Sequence, residues 1–176
     1  MIYQLRDGYF VRPLAALDLD GPYPAWFEDQ EICRYNSHGK FFPTRAALLA
    51  YIENDATDRV VWAICDGNQT HVGNVSLQHI SFVNRSAEFA ILIGDRAHWG
   101  KGVATAAGRS LLAHGFFKLN LHRVHCGTAA ANIGMVRLAA ALGMREEGRR
   151  RQALYLEGEW IDVVEFGVLR DEFRPA

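Results

Sequence analysis

Residues 86–107, SAEFAILIGDRAHWGKGVATAA, decide how this chain folds. Residues 88–94 read as a buried strand that passes through a short turn into a loop bearing Gly100 and Gly102, and then into a helix over 103–117. That order is what an anion site needs. Lacking a Cβ, the backbone at Gly100 and Gly102 can approach a phosphate closely. The first N–H groups of the following helix have no partner inside it and point to the same place.

Two better-known phosphate loops do not fit. The P-loop spacing of two glycines followed by Lys-Ser/Thr is absent, and Thr105 stands where the dinucleotide fingerprint needs its third glycine. The loop instead resembles the acyl-coenzyme-A loop of the GCN5-related N-acetyltransferases (GNAT), Gln/Arg-x-x-Gly-x-Gly/Ala, here on Trp99, Gly102 and Ala104. Trp99 replaces the opening Gln/Arg, and the form Trp-Gly-Lys-Gly-x-Ala-Thr is similar to the branch that includes the ribosomal-protein N-terminal acetyltransferases. A second patch continues the resemblance: residues 121–128 as a strand, Asn132, a helix to Leu142, then Gly143-Met144 where the family has Gly-Phe.

Working outward, 176 residues with 49% hydrophobic and 22% charged composition are expected to form one globular domain, 1–176. A net charge of −1 supplies no basic field for nucleic acid. Cys33, Cys65 and Cys126 are odd in number and far apart, which fits neither a disulfide framework nor a metal pair. Arg6, Asp7 and Arg12 break up any secretory apolar core, and no uncharged run reaches membrane length, so a cytoplasmic setting is expected. His122 and His125, three apart on a strand, face opposite sides, and no metal site is expected.

Upstream, residues 9–12 before Pro13 read as the first strand, residues 25–35 as a short helix and Pro43-Thr44 as a helix start, with Asn54-Asp55 ending that helix. Residues 59–65, the turn Asp66-Gly67-Asn68 and residues 71–80 read as a hairpin. Downstream, residues 154–169 read as a closing hairpin, with Arg149-Arg150-Arg151 at a solvated tip. The expected fold is a mixed α/β sheet, largely antiparallel and flanked by helices, with one parallel pair formed by 88–94 and 121–128. In the resembled family those two strands splay and pantetheine lies in the gap.

The resemblance implies an acetyl-CoA-dependent N-acetyltransferase with acetyl-CoA as cosubstrate, a primary amine as acceptor and direct attack without a covalent acetyl carrier. It places the diphosphate on main-chain groups of Trp99, Gly100, Lys101, Gly102, Val103, Ala104 and Thr105, and pantetheine and carbonyl against Leu92, Ile93 and Gly94. Asn132 would hold the pantetheine end; from the residues alone it is a helix N-cap. Glu88 stands where the histone-acetylating members carry a general base, and a carboxylate at the edge of an apolar cleft is raised toward the working range. The family's proton donors to sulfur, a Tyr seven after the Asn or a Ser three after it, are replaced by Ala139 and Met135, which leaves Tyr155, His79 or water. Residues 26–42, with Trp26, Phe27, Tyr35, Phe41 and Phe42, correspond to part of the acceptor wall. Protein or peptide α-amines rank first as acceptors, ahead of an amino-sugar nucleotide or a small amine such as spermidine. A coenzyme-A sensor without catalysis is the rival.

Overall fold

A computed structural model describes residues 1–36, 40–41, 43–54 and 57–175. Phe42 and Asp55, read above as a wall residue and a helix stop, lie outside the described residues. Eight strands form one sheet: β1 (Tyr3–Gln4), β2 (Phe10–Pro13), β3 (Val60–Cys65), β4 (His71–Ser81), β5 (Ser86–Ile93), β6 (Arg123–Ala129), β7 (Arg145–Leu156) and β8 (Glu159–Leu169), in the spatial order β1-β2-β3-β4-β5-β6-β8-β7. Every pairing is antiparallel except β5 with β6. Among the described residues three α-helices accompany it: α1 (Arg45–Glu53), α2 (Val103–Phe117) and α3 (Ile133–Ala141). This is the mixed sheet the sequence implies.

Alternation along β5 explains why the sheet has two differently dressed faces. Ala87 and Phe89, with Ile91 and Ile93, join the core that Val103, Ala107, Leu111 and Phe116 of α2 complete. Glu88 and Leu92 belong to the opposite face, where Leu92 meets a second cluster of Leu19, Tyr23, Trp26, Phe27, Cys33 and Leu48. Apart from Leu48 of α1, that cluster comes from the stretch between β2 and α1. Pro22 and Pro24 break it up, so it holds 3-10 turns at Ala16–Asp20 and Pro24–Phe27 rather than the helix expected over 25–35.

Its anchor is ionic. Asp18, only 2% exposed, accepts from Arg12 Nη1 and Nη2 (2.8 and 2.6 Å) and from the Ala15 amide (2.9 Å), and the ring nitrogen Nδ1 of His71 stands 3.2 Å away. Burial alone pushes the Asp18 carboxyl up, but these partners outweigh it and hold the group well below the usual carboxylate range.

Two other expectations are corrected. The first strand is β1, ahead of the expected 9–12 segment. The closing hairpin begins at Arg145 and turns at Glu157-Gly158, so Arg149, Arg150 and Arg151 lie along an exposed edge strand and not at a tip. Arg149 pairs with Asp162 (3.8 Å) and Arg150 with Glu165 (2.6 Å).

Candidate active site

β5 and β6 pair over only three positions, Ser86↔Arg123, Ala87↔Val124 and Glu88↔His125. Beyond them β5 stays with β4 as far as Ile93, and β6 stays with β8 as far as Ala129. The sheet therefore opens along this line, and Glu88 and His125 stand at the vertex of the opening.

At the far end of β5 the amides of Gly94 and Asp95 both donate to Val72 O (2.9 and 3.1 Å), a bulge that re-aims the chain. Since main-chain groups alternate sides along a strand, the N–H and C=O of Ile93 turn away from β4 toward the opening. Trp99 Nε1 donates to that carbonyl (2.9 Å). Of the three main-chain positions expected to meet the carrier, Leu92 faces β4 opposite Asn74, Gly94 gives its amide to Val72, and Ile93 presents its amide to the gap. Gly94 also has a packing reason: a Cβ there would fall 1.9 Å from the Trp26 ring.

The loop into α2 needs its two glycines for conformation. Gly100 (φ +73°) and Gly102 (φ +77°) are left-handed, with open space around both. Gly102 is the N-cap of α2 and offers no side-chain cap, so the N–H groups of Val103, Ala104 and Thr105 have no partner in the helix or from a cap. Lys101 is exposed. Across the opening, Asn132 caps α3 by accepting from the Met135 amide at 3.2 Å, as read from the sequence.

Glu88 is half-buried, and its Oε2 lies 3.0 Å from Nδ1 of His79, whose side chain is 78% exposed. His79 reaches it from a register break in β4, with φ at +49°. The two positions where the family carries proton donors are unhelpful here: Ala139 is wholly buried in the core and Met135 packs against it. Tyr155 is remote. It stands opposite Trp160, seven residues along β8 from Gly167, the partner of His125. At about 3.4 Å per residue that is roughly 20 Å or more from the vertex. Cys126, on β6, turns into the core toward Met144 Sδ (3.6 Å). Burial, with the charges of Glu165 and Glu88, pushes its thiol up to about 12, unsuited to carrying an acetyl group.

Residues 26–36, with Lys40, line the mouth of the opening. Trp26 lies under Gly94 at the β5 side, and Asp29 accepts from Arg96. On the other side Tyr35 Oη donates to Ala131 O (3.2 Å), Arg34 pairs with Glu157 (3.0 Å) and Lys40 Nζ donates to Tyr155 O (3.1 Å). A cavity of about 210 Å³ adjoins this crossing, lined among others by Phe27, Glu28, Cys33 and Leu156. Among the described residues no cluster of His, Cys, Asp and Glu is placed to hold a metal ion, and no helix is long and apolar enough to cross a membrane.

Two residues of this site carry no local signal in the sequence. His125 reads there only against a metal site, because its register with Glu88 is a long-range fact. Trp26 gave no signal of its contact with Gly94 for the same reason.

Comparison with known proteins fits this geometry. The acetyltransferase (GNAT) domain family model matches residues 9–145. The chain is 30% identical over 152 residues to the spermidine N(1)-acetyltransferase of Vibrio cholerae serotype O1, spanning 86% of this chain and 78% of that enzyme. The crystal structure of spermidine N-acetyltransferase from Vibrio cholerae in complex with CoA and spermine superposes with a TM-score of 0.81 at 25% identity, covering 94% of this chain and 97% of that one. The ribosomal-protein-S5-alanine acetyltransferase from Vibrio fischeri superposes at 0.83 with 21% identity over 99% and 100% of the two chains, a likeness of fold. With the opened strand pair, the left-handed glycine loop and the matched family in agreement, the chain belongs to the acetyltransferase (GNAT) domain family and is an acetyl-CoA-dependent N-acetyltransferase of that type.

Proposed function

We propose that residues 1–176 work as one domain that moves an acetyl group to a primary amine of a small cationic acceptor such as spermidine, by direct attack. The observation that carries this reading is the parting of β5 from β6 beyond Glu88 and His125, with the uncapped start of α2 nearby. The main chain from Trp99 to Thr105 holds the diphosphate of acetyl-CoA. Asn132 steadies the pantetheine while capping α3, and the Ile93 amide donates to the thioester carbonyl as it gains negative charge. Leu92 and Gly94 shape the wall beside it. Glu88 accepts the proton of the acceptor's ammonium.

Two observations favour a small amine over the protein α-amine that the loop form ranks first. The Vibrio cholerae relative named above acts on spermidine, as its name states. The cavity beside the crossing segment combines the apolar Phe27, Cys33 and Leu156 with the carboxylate of Glu28, which has no ion-pair partner among the described residues. Its two cations already have partners, Arg34 in the lining carboxylate of Glu157 and Lys40 in Tyr155 O. An alkyl amine suits such a lining.

Release of free thiol from acetyl-CoA, followed against spermidine, a monoamine and a peptide with a free N-terminal alanine, tests the reading. Turnover should be greatest with spermidine. Turnover with the peptide alone would reverse the acceptor assignment, and tight coenzyme binding with no thiol released from any amine would favour the sensor.

A further inference from the structure

Trp99 is an exposed indole whose N–H is already committed, and we propose that it is a positioning residue: its hydrogen bond to Ile93 O fixes how far the diphosphate seat stands from the thioester seat. The inference rests on the transfer reading above, which lays the diphosphate on the main chain from Trp99 to Thr105 and the thioester carbonyl at the Ile93 amide. The bond runs from Nε1 at 2.9 Å, on a side chain whose residue is 44% exposed. Ile93 is the last residue of β5, and its carbonyl faces the opening rather than β4. The indole therefore reaches from the start of one seat to the main chain of the other.

The loop holds its own shape without that bond. Asp95 caps the 3-10 turn at Arg96–His98 by accepting from the Ala97 amide (2.9 Å), and the amides of His98 and Trp99 close on Asp95 O and Arg96 O, both at 3.0 Å. His98 is pinned by Tyr9, whose hydroxyl lies 2.6 Å from Nδ1. Beyond it Gly100 and Gly102 take left-handed backbone, and the Ala106 amide donates to Gly102 O at 3.0 Å to start α2. These contacts leave unset the height of residues 99–102 against the open side of β5. Space is open around both glycines, Lys101 is exposed, and among the described residues the indole makes the one side-chain hydrogen bond from 99–102 to the sheet.

A carrier gripped at both ends depends on that height. Its second contact follows the first with an effective concentration set by the span between the two seats, so a loop that drifts against β5 weakens the whole molecule while each half still finds its own seat. The Gln or Arg that Trp99 replaces in this loop form would bring the same kind of side-chain N–H donor to the position.

The test titrates CoA, and separately 3′-phosphoadenosine 5′-diphosphate, which fills the loop alone, into the unaltered chain, Trp99→Phe and Trp99→Gln. Phe keeps a ring and loses the N–H. Gln loses the ring and keeps an N–H as many bonds from its Cα as that of the indole. For Trp99→Phe the Kd for CoA should rise about 3–10-fold, the range of one neutral hydrogen bond, while the Kd for the nucleotide stays within about twofold. The KM for acetyl-CoA should rise in step, with kcat little changed. Trp99→Gln should recover most of the CoA affinity. An equal rise for CoA and for the nucleotide, as lost folding or a lost direct contact would give, overturns the assignment. An unchanged Kd for CoA overturns it too, as does a Trp99→Gln chain that binds no better than Trp99→Phe. Tighter CoA binding by Trp99→Phe would overturn it by showing indole and coenzyme in competition for the Ile93 carbonyl. Absence of CoA binding by the unaltered chain would instead remove the reading beneath the proposal. CoA binding with no thiol released from any amine would remove the transfer alone, and the comparison of affinities would still decide Trp99.

Discussion

The indole of Trp26 lies flat against Gly94, so close that a Cβ at that glycine would meet three ring carbons between 1.9 and 2.5 Å. Trp26 is itself only 4% exposed and wedged among Tyr23, Phe27 and His71, so it has nowhere to move. Gly94→Ala should therefore lower unfolding stability by about 1–3 kcal/mol, the usual cost of overpacking. Adding Trp26→Leu should recover part of that loss, and urea unfolding of both singles and the double would show the coupling. Additive losses would mean that the two residues do not share this contact.

Glu88→Gln keeps the size of the side chain and removes its basicity. Thiol release should drop about 10²–10⁴-fold while coenzyme affinity stays put, because the proposed donor contacts lie elsewhere, on the main chain of Ile93 and 99–105 and on Asn132. Steady-state rates across pH are the measurement, and an unmoved profile would strip Glu88 of its role.

Asp18→Asn removes the charge that Arg12 grips in the interior. Breaking a buried pair and leaving its partner unmatched costs about 3–5 kcal/mol. The pH dependence has a definite sign. The Asp18 carboxyl is depressed in the folded chain, so its contribution is full above the unfolded value of about 3.9 and is lost as pH falls further. Urea unfolding between pH 7 and pH 2 should show a steeper acid decline in the unaltered chain than in the variant; parallel declines would contradict it.

Cys126 is a protonated thiol facing Met144. Mixing the chain with acetyl-CoA in the absence of an amine should leave its intact mass free of any acetyl adduct, and Cys126→Ala should still turn over. An adduct lost on that substitution would replace direct attack with a covalent route.

What the sequence revealed depended on how local its cause was. The limits of α2 come out as 103–117 because Gly102 sits at its cap and an apolar stripe follows at helical spacing. The β3–β4 hairpin is legible because Asp66 closes its own turn, accepting from the amides of Asn68 and Thr70. Residues 145–153 hid their strand. With a partner on one side only and solvent over both faces, REEGRRRQA carries no period-two pattern. Glu88 was legible by its spacing from the loop, whereas its neighbour His125 was not, since a parallel register links residues 37 positions apart through a helix. The His79 contact depends on a break in β4 that no composition announces.

The sheet ends on β7, whose outer edge carries no strand partner among the described residues, and a long bare ladder of that kind invites foreign chains to add themselves. Two register breaks interrupt it, one near Glu147 and one between Arg150 and Leu154, and charges of both signs from Arg145 to Arg151 line what remains. Another strand approaching this rim would meet gaps in the backbone rhythm and a dense hydration layer. The same sheet that opens at its middle for chemistry thus carries, at its border, the bulges and charges that make an edge strand a poor template for further strands.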